Sequence, residues 1–421
     1  MAGIIIYRAD ERDYSLAPLL TGSDRMEVTT VFSPPALLRA FVSRRKIFFT
    51  DRSKRRSRRY YLLAKLLGLR YGRTAEARAL LRDVPEHGSL LFVANDYMCA
   101  GIYHTYLRGL GLPLRIHCLS RGHHRLPYMG LMWLLARLGL LRGRPRPDLT
   151  MLYINPFTRW MPDILLRLYP QARLILRYHD HANTRDAAAI SRMTELYRSL
   201  DNVTLESFSR EDARALGLEY APNFADAGFL RDLVKTQQLT RHPYVVLICN
   251  AGPQGQGRRL HALLRLAGIL TDQHIDYDFY VRCNEDAHIP ELPGLHLDHP
   301  GFTYDSYLHM VAQSSCMVDL CHIASQEGYS YRITEAVLMG KKILTDRASL
   351  VEEPFYAPGN ILVLDDFDKP ELGRQIADFL HSPAVPYGHT HSLTLQAWAE
   401  YHGLRSCPGA SSVDPEPVRP A

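Results

Sequence analysis

Little in this chain would tie it to a disulfide framework, a metal cage or a bilayer span. Its seven cysteines are odd in number and include no C-x-x-C pair, which argues against a disulfide scaffold or a zinc site. Most sit in apolar runs such as LICN and VDLCHI, as the reduced core thiols of a cytosolic protein do. No secretory signal is visible. The stretch MAGIIIYRADERDYS has a short apolar run followed at once by charge, and it reads as a first buried strand. The longest apolar helical stretch, YMGLMWLLARLGLL at 128–141, is interrupted by Arg137 and is too short to span a bilayer, so it reads as a core helix or an interfacial one. The nineteen histidines include His123-His124 and the H-x-H pairs at 179–181 and 389–391, none with a third ligand at metal spacing. A nucleophile elbow is lacking, and GPQGQG fits neither the Walker nor the dinucleotide fingerprint.

What is present points to a soluble α/β protein. The chain of 421 residues exceeds one ordinary hydrophobic core, so two domains are expected, and 46% hydrophobic with 22% charged residues is a globular composition. The net charge of +6 is uneven: Arg39 to Arg82 holds fifteen Lys/Arg against Asp51 and Glu76, a local +13 that leaves −7 for the rest. The segment 44–70 adds an apolar stripe to this charge. It suits an anionic membrane surface, where each cation contributes on the order of 1 kcal/mol, although a solvated helix face has the same pattern. Nucleic acid is a weaker partner, because no nucleic-acid-binding motif accompanies the charge. The expected location is cytoplasmic, with possible peripheral attachment to the inner face of the plasma membrane.

Short apolar runs alternate with helix-period stretches. GIIIYR, VTTVF, KIFFTD, SLLFVAND, LRIHCLS, LTMLYINP, ARLILRYHD and NVTLESFS read as strands, as do YVVLICN, DYDFYVRC, CMVDLCHI, KKILTD and ILVLDD further on. Continuous apolar strands separated by helices predict parallel sheets covered on both faces, that is, two Rossmann-like doubly wound domains with a cleft. The pattern pauses after residue 222, placing one domain at 1–222, a linker at 223–242 and a second domain at 243–405. LTLQAWAEYH is expected to return to the first domain. The Pro/Ser-rich end, 406–421, is expected to be disordered.

The most informative stretch is QEGYSYRITEAVLMGKK at 326–342. A strand, a glycine-containing loop and a helix ended by Gly340 put free N–H groups where phosphate binds, and put Glu327 and Glu335 eight positions apart beside them. A carboxylate there is suited to sugar hydroxyls, a charged acceptor being worth roughly 1.5–3 kcal/mol. The stretch resembles the E-x7-E signature of the large retaining glycosyltransferase family of GT-B fold. Tyr-Arg-Ile-Thr-Glu followed by Gly-Lys-Lys-Ile-Leu-Thr is similar to bacterial lipopolysaccharide and capsular polysaccharide biosynthesis glycosyltransferases. GFTYDSYLHMVAQSSCMVDL, RLILRYHD and LESFSREDARALGLEYAPNFAD support the likeness, which covers roughly 170–365.

The resemblance implies transfer from a nucleotide-diphosphate sugar to a glycan or lipid-linked acceptor, with retention and without a metal or other cofactor. By position Glu335 would hold the ribose and Glu327 the donor sugar, with His179 near the reacting centre. Tyr329, Ser330 and Arg332 would line the donor site, and Arg258 and Arg259 would neutralise the diphosphate. Plainer readings accompany these. Glu335 could pair with Arg332 at i, i+3, Glu327 could be an ordinary loop acid, and Arg332 could be a structural ion pair. His179, Arg258 and Arg259 could be solvated or packed residues. DDFD at 365–368 mimics a metal motif but reads as the cap of the next helix. A nucleotide-sugar epimerase and a non-catalytic nucleotide-sugar scaffold are the alternative functions.

Overall fold

The computed structural model describes residues 3–6, 27–29, 46–49, 90–94, 102–103, 105–112, 114–118, 133–140, 145–155, 160–178, 187–237, 243–251, 257–283, 292–297, 304–321 and 328–404. The chain divides into two compact units: Met1–His104 with Leu112–Leu205, and Thr105–Gly111 with Glu206–Ala421.

In the first unit, β1 (Gly3–Ile6), β2 (Glu27–Thr29) and β3 (Lys46–Phe49) form a small parallel sheet of order β2-β1-β3. A larger parallel sheet runs β5-β4-β6-β7-β8, from β4 (Leu90–Ala94), β5 (Leu114–Cys118), β6 (Thr150–Ile154), β7 (Arg173–Tyr178) and β8 (Val203–Ser207). Every residue of the central TMLYI strand is buried, as a strand covered on both faces requires. Two helices present apolar stripes at helical spacing. These are α1 (Trp160–Leu168), with Met161, Ile164, Leu165 and Leu168 buried, and α2 (Ala187–Tyr197), with Ile190, Met193 and Tyr197 buried. Asp163 ties this layer together, accepting from Trp133 Nε1 at 2.8 Å and from the Tyr197 hydroxyl at 2.6 Å.

The last two residues of β8, Glu206 and Ser207, belong to the second unit and pair with β9 (Glu219–Tyr220); α3 (Arg210–Leu216) precedes β9 in the chain and α4 (Ala227–Lys235) follows it. That unit's main sheet is parallel with order β12-β11-β10-β13-β14-β15. Its strands are β10 (Tyr244–Ala251), β11 (Asp276–Cys283), β12 (Leu295–Leu297), β13 (Cys316–Asp319), β14 (Lys342–Thr345) and β15 (Ile361–Val363). Val245, Leu247 and Cys249 alternate toward α5 (Gly257–Asp272) and α8 (Leu372–His381), building one core layer. On the opposite face lie α6 (Tyr304–Gln313) and α7 (Tyr331–Leu338). Helix α7 buries Tyr331, Ile333, Thr334, Glu335, Ala336 and Val337, so it is enclosed nearly all round.

The division at Leu205/Glu206 precedes the expected linker, and the first part of 223–242 is no linker at all. Asn223, Phe224 and Ala225 are buried, and α4 is capped by Asp226, whose carboxylate accepts from the Phe229 N–H at 3.0 Å. Its apolar residues fall at helical spacing and bury Leu230 and Leu233, a pattern hidden by polar neighbours. The last helix, α9 (Leu395–Tyr401), packs within the second unit. Trp398 stacks on Phe224 at 4.5 Å and donates to Glu206 Oε1 at 3.2 Å, while His402 Nε2 lies 2.8 Å from Glu206 Oε2. The return expected of this segment therefore reaches residues that belong to the second unit. The segment 44–70 apart from Lys46–Phe49, and the tail 406–421, lie outside the described residues.

Candidate functional site

The second unit's strand order places a switch point between β10 and β13: from β10 the chain runs outward to β11 and β12, then returns to build β13, β14 and β15 on the other side. Connections after β10 and β13 therefore leave in opposite directions at their carboxyl ends, which is where such sheets bind ligands. Two buried carboxylates organise this region.

The first is Asp319, the last residue of β13 and fully buried. Its Oδ1 accepts from Arg332 Nη1 at 2.6 Å and from the Ser330 hydroxyl at 2.9 Å, and its Oδ2 accepts from Arg347 Nε at 2.6 Å. Burial alone would raise this carboxyl, but Arg347 and Arg332 outweigh burial and hold it well below the usual carboxylate range. Arg347 also donates to the Gly328 carbonyl at 2.8 Å, fixing a loop in which Gly328 adopts φ 79°, a left-handed conformation that suits glycine. Ser330 is the N-cap residue of α7 but gives no side-chain cap, because its hydroxyl is turned to Asp319. Arg259, in the first turn of α5 and nearly fully buried, donates through Nε to the Leu320 carbonyl at 2.9 Å. Burial, then the neighbouring Arg332, lowers its pKa. Three guanidinium groups thus gather at the ends of β13 and β14.

The second carboxylate, Glu335, is also fully buried. The Tyr106 hydroxyl donates to Oε1 at 2.9 Å and the Tyr307 hydroxyl to Oε2 at 2.7 Å; the Tyr304 hydroxyl also bonds Oε1 and lies 2.7 Å from Tyr106 Oη. Oε1 and the Tyr106 and Tyr304 hydroxyls form a closed triangle of oxygens. The two tyrosine hydrogens fill two of its three sides. Burial pushes Glu335 up to about 7 despite the opposing pull of the three hydroxyls.

The residues singled out in the sequence therefore separate. Glu335, Arg332, Ser330 and Arg259 come together in the second unit. Arg332 does not pair with Glu335 at i, i+3; it bonds Asp319 instead. Tyr329 is buried against Phe355, ring centroids 5.3 Å apart, and its carbonyl accepts from Asn223 Nδ2 at 2.8 Å, so its ring serves packing. Glu327 and His179 lie outside the described residues, as does the side chain of Arg258. DDFD does not cap the next helix: Asp368 N–H bonds Asp366 Oδ1 at 2.9 Å in a turn of its own, and Glu371 is the N-cap residue of α8. Lys341 donates to the Ala312 and Ser314 carbonyls at 2.6 and 2.7 Å, closing the end of α6. Asp319, Arg347 and the three tyrosines were not anticipated. Asp319 could have been found as the one acid inside the apolar run CMVDLCHI.

No protein-family model and no curated protein matches the sequence. Solved structures do. An α,α-trehalose-phosphate synthase (UDP-forming) from Burkholderia xenovorans, in complex with glucose-6-phosphate, is similar over 75% of this chain and 99% of its own, at 13% identity and a TM-score of 0.51. The N-terminal domain of Candida albicans trehalose-6-phosphate phosphatase is similar over 75% and 95%, at 10% identity and a TM-score of 0.50. The chain has the GT-B fold of glycosyltransferases. The α/β class with parallel, Rossmann-like sheets expected from the sequence is thereby borne out.

Proposed function

We propose that this GT-B protein transfers a glycosyl group from a nucleotide-diphosphate sugar to a glycan or lipid-linked acceptor in bacterial surface polysaccharide synthesis. The observation that carries the reading is the set of arginines, Arg259, Arg332 and Arg347, gathered at the switch point of the second unit's sheet beside the start of α7. A departing diphosphate gains negative charge as the glycosidic bond breaks, and cations fixed in a buried setting stabilise that charge without reorganising. On this reading the arginines supply the field that a divalent ion supplies elsewhere, and the anomeric configuration is retained by attack on the face the phosphate leaves.

Glu335 takes the ribose. Its two oxygens already accept hydroxyl hydrogens, which is the chemistry of neighbouring ribose alcohols, and the nucleotide would replace the Tyr106 and Tyr304 hydroxyls. Glu327 would hold the donor sugar and His179 would stand at the reacting centre.

Differential scanning fluorimetry with UDP, GDP, ADP and CDP, with and without EDTA, tests the reading. One nucleotide is expected to raise the unfolding midpoint, equally in both conditions. At pH 8 Glu335→Gln should bind that nucleotide roughly ten- to a hundredfold more weakly, matching the loss of a charged acceptor worth about 1.5–3 kcal/mol. No midpoint shift with any nucleotide, or unchanged affinity in the variant, refutes the assignment.

A further inference from the structure

The segment Thr105–Gly111 belongs to the second unit, although the chain up to His104 and from Leu112 belongs to the first. It is one helical turn that tightens into a 3-10 turn at Arg108–Leu110. It stops at Gly111, whose left-handed backbone (φ 62°) lets its N–H bond the Arg108 carbonyl at 3.1 Å. So short a helix does not hold together in water by its own backbone bonds. Its place in the second unit is therefore set by side-chain contacts.

Those contacts fall at two points. Tyr106 is fully buried: its hydroxyl donates to Glu335 Oε1 at 2.9 Å. Its ring lies nearly parallel to that of Tyr331, centroids 6.3 Å apart, and edge-on to Tyr304 at 6.0 Å. Leu107 and Leu110 are buried with it. The second point is Gly109, which lies directly against Asp226, the N-cap of α4, and Leu395 of α9. A Cβ on Gly109 would collide with Asp226 Oδ2 and press on Leu395 Cδ2 at 3.3 Å, so the close approach requires a glycine.

Glu335 has no solvent exposure, so a ligand reaches its oxygens only if a tyrosine gives way. The three differ in what must move with them. Tyr304 and Tyr307 stand on α6, a ten-residue helix that also buries Leu308, Met310, Val311 and Ala312. Tyr106 stands on a short turn. Withdrawing that turn frees Oε1 of one donor and uncovers the Tyr331 ring, the first residue of α7, beside it. Segments held by few contacts open at a lower free energy than the core around them.

We propose that Thr105–Gly111 is a built-in competitor of the donor nucleotide: Tyr106 holds Glu335 until ribose hydroxyls take its place, and the segment withdraws as they do. The inference rests on the reading of Glu335 as the ribose acceptor. Competition of this kind lowers the apparent affinity by the fraction of time the segment is out, and loosening the segment restores it.

Titration calorimetry of the full chain at pH 8 with UDP, GDP, ADP and CDP tests it. Tyr106→Phe keeps the ring and removes the bond to Glu335, and should bind the preferred nucleotide roughly tenfold more tightly than the native chain does. Gly109→Val leaves Tyr106 and Glu335 unaltered and dislodges the segment at its other anchor, and it too should bind more tightly. Backbone hydrogen exchange across 105–111 should speed up at saturating nucleotide. A tyrosine that only packs would lower the unfolding midpoint in Tyr106→Phe without tightening binding. Unchanged or weaker binding by Tyr106→Phe, with binding still weakened in Glu335→Gln, overturns the competitor and leaves the ribose reading standing. Slower exchange at 105–111 on binding, which would make the segment a clamp on the nucleotide, overturns it as well. Nucleotide binding that Glu335→Gln does not weaken overturns both.

Discussion

Asp319 and Glu335 are both carboxylates without solvent exposure, sixteen positions apart in one unit, yet one is pushed down and the other up from the ordinary carboxylate range. Asp319 faces two guanidiniums at 2.6 Å and is held ionised far below the usual range. Glu335 faces three neutral hydroxyls, and burial lifts it to about 7. Burial is common to both, so the partner's charge makes the difference. At Glu335 the hydroxyl donors recover only part of the hydration a buried anion gives up, whereas at Asp319 two full opposite charges outweigh its loss. One carboxylate is a fixed anion that positions arginines. The other can take up or release a proton without leaving its place.

The comparison breaks first at Asp319. Asp319→Asn removes the countercharge from Arg347, whose side chain is almost wholly enclosed, and from Arg332. Breaking one side of a buried ion pair costs about 3–5 kcal/mol, and urea unfolding at pH 7 should show a loss of that size. The loss should be undiminished above about pH 5 and shrink as pH falls below the ordinary 3.8, where the unfolded chain takes up a proton that the folded chain does not. A change below about 1 kcal/mol would mean that water reaches these arginines and that partner charge is not what sets the two acids apart.

Glu335 is expected to reveal itself by pH dependence instead. Its pKa in the folded chain, about 7, lies above the ordinary 4.5, so the folded state holds a proton that the unfolded chain releases. Stability from this group is complete below pH 4.5 and is lost as pH rises to 7. Two and a half units correspond to about 3 kcal/mol at 1.36 kcal/mol per unit. Glu335→Gln cannot titrate, so the advantage of the native chain over this variant should shrink by about that amount between pH 5 and pH 8. Parallel stability profiles across that range would show that Glu335 is ionised like Asp319.

How far these sites could be read in advance depended on distance along the chain. Parallel strands such as TMLYI and RLILRY were legible because buried strands leave continuous apolar runs, and Glu335 was legible because its motif is local. Its partners were not. Tyr106 is 229 positions away, and only tertiary packing brings its hydroxyl to the carboxylate. Tyr304 and Tyr307, spaced i, i+3 on α6, carry no local mark of the carboxylate they meet. Arg332 was placed beside Glu335 by sequence spacing, yet the side chain turned to Asp319, where a full ion pair was available. The helix inside 223–242 was hidden because its few apolar residues lie among polar ones, and a boundary judged by composition falls too late.

The smallest effect tests the hydroxyls themselves. Tyr307 gives its hydrogen to Glu335 Oε2, the oxygen outside the triangle, so Tyr307→Phe removes one donor and leaves the other two in place. A hydrogen bond to a charged acceptor is worth about 1.5–3 kcal/mol and one to a neutral acceptor about 1 kcal/mol. The variant should therefore lose about 2 kcal/mol at pH 8, where Glu335 is mostly ionised, and about half of that at pH 5. Because the lost donor favoured the charged form, the inflection in the stability profile should move above pH 7. An inflection that moves downward instead would place the proton on the other oxygen and make Tyr307 an acceptor from the carboxyl. The contrast with Asp319 would then rest on a neutral acid that donates, rather than on an anion that hydroxyls half satisfy.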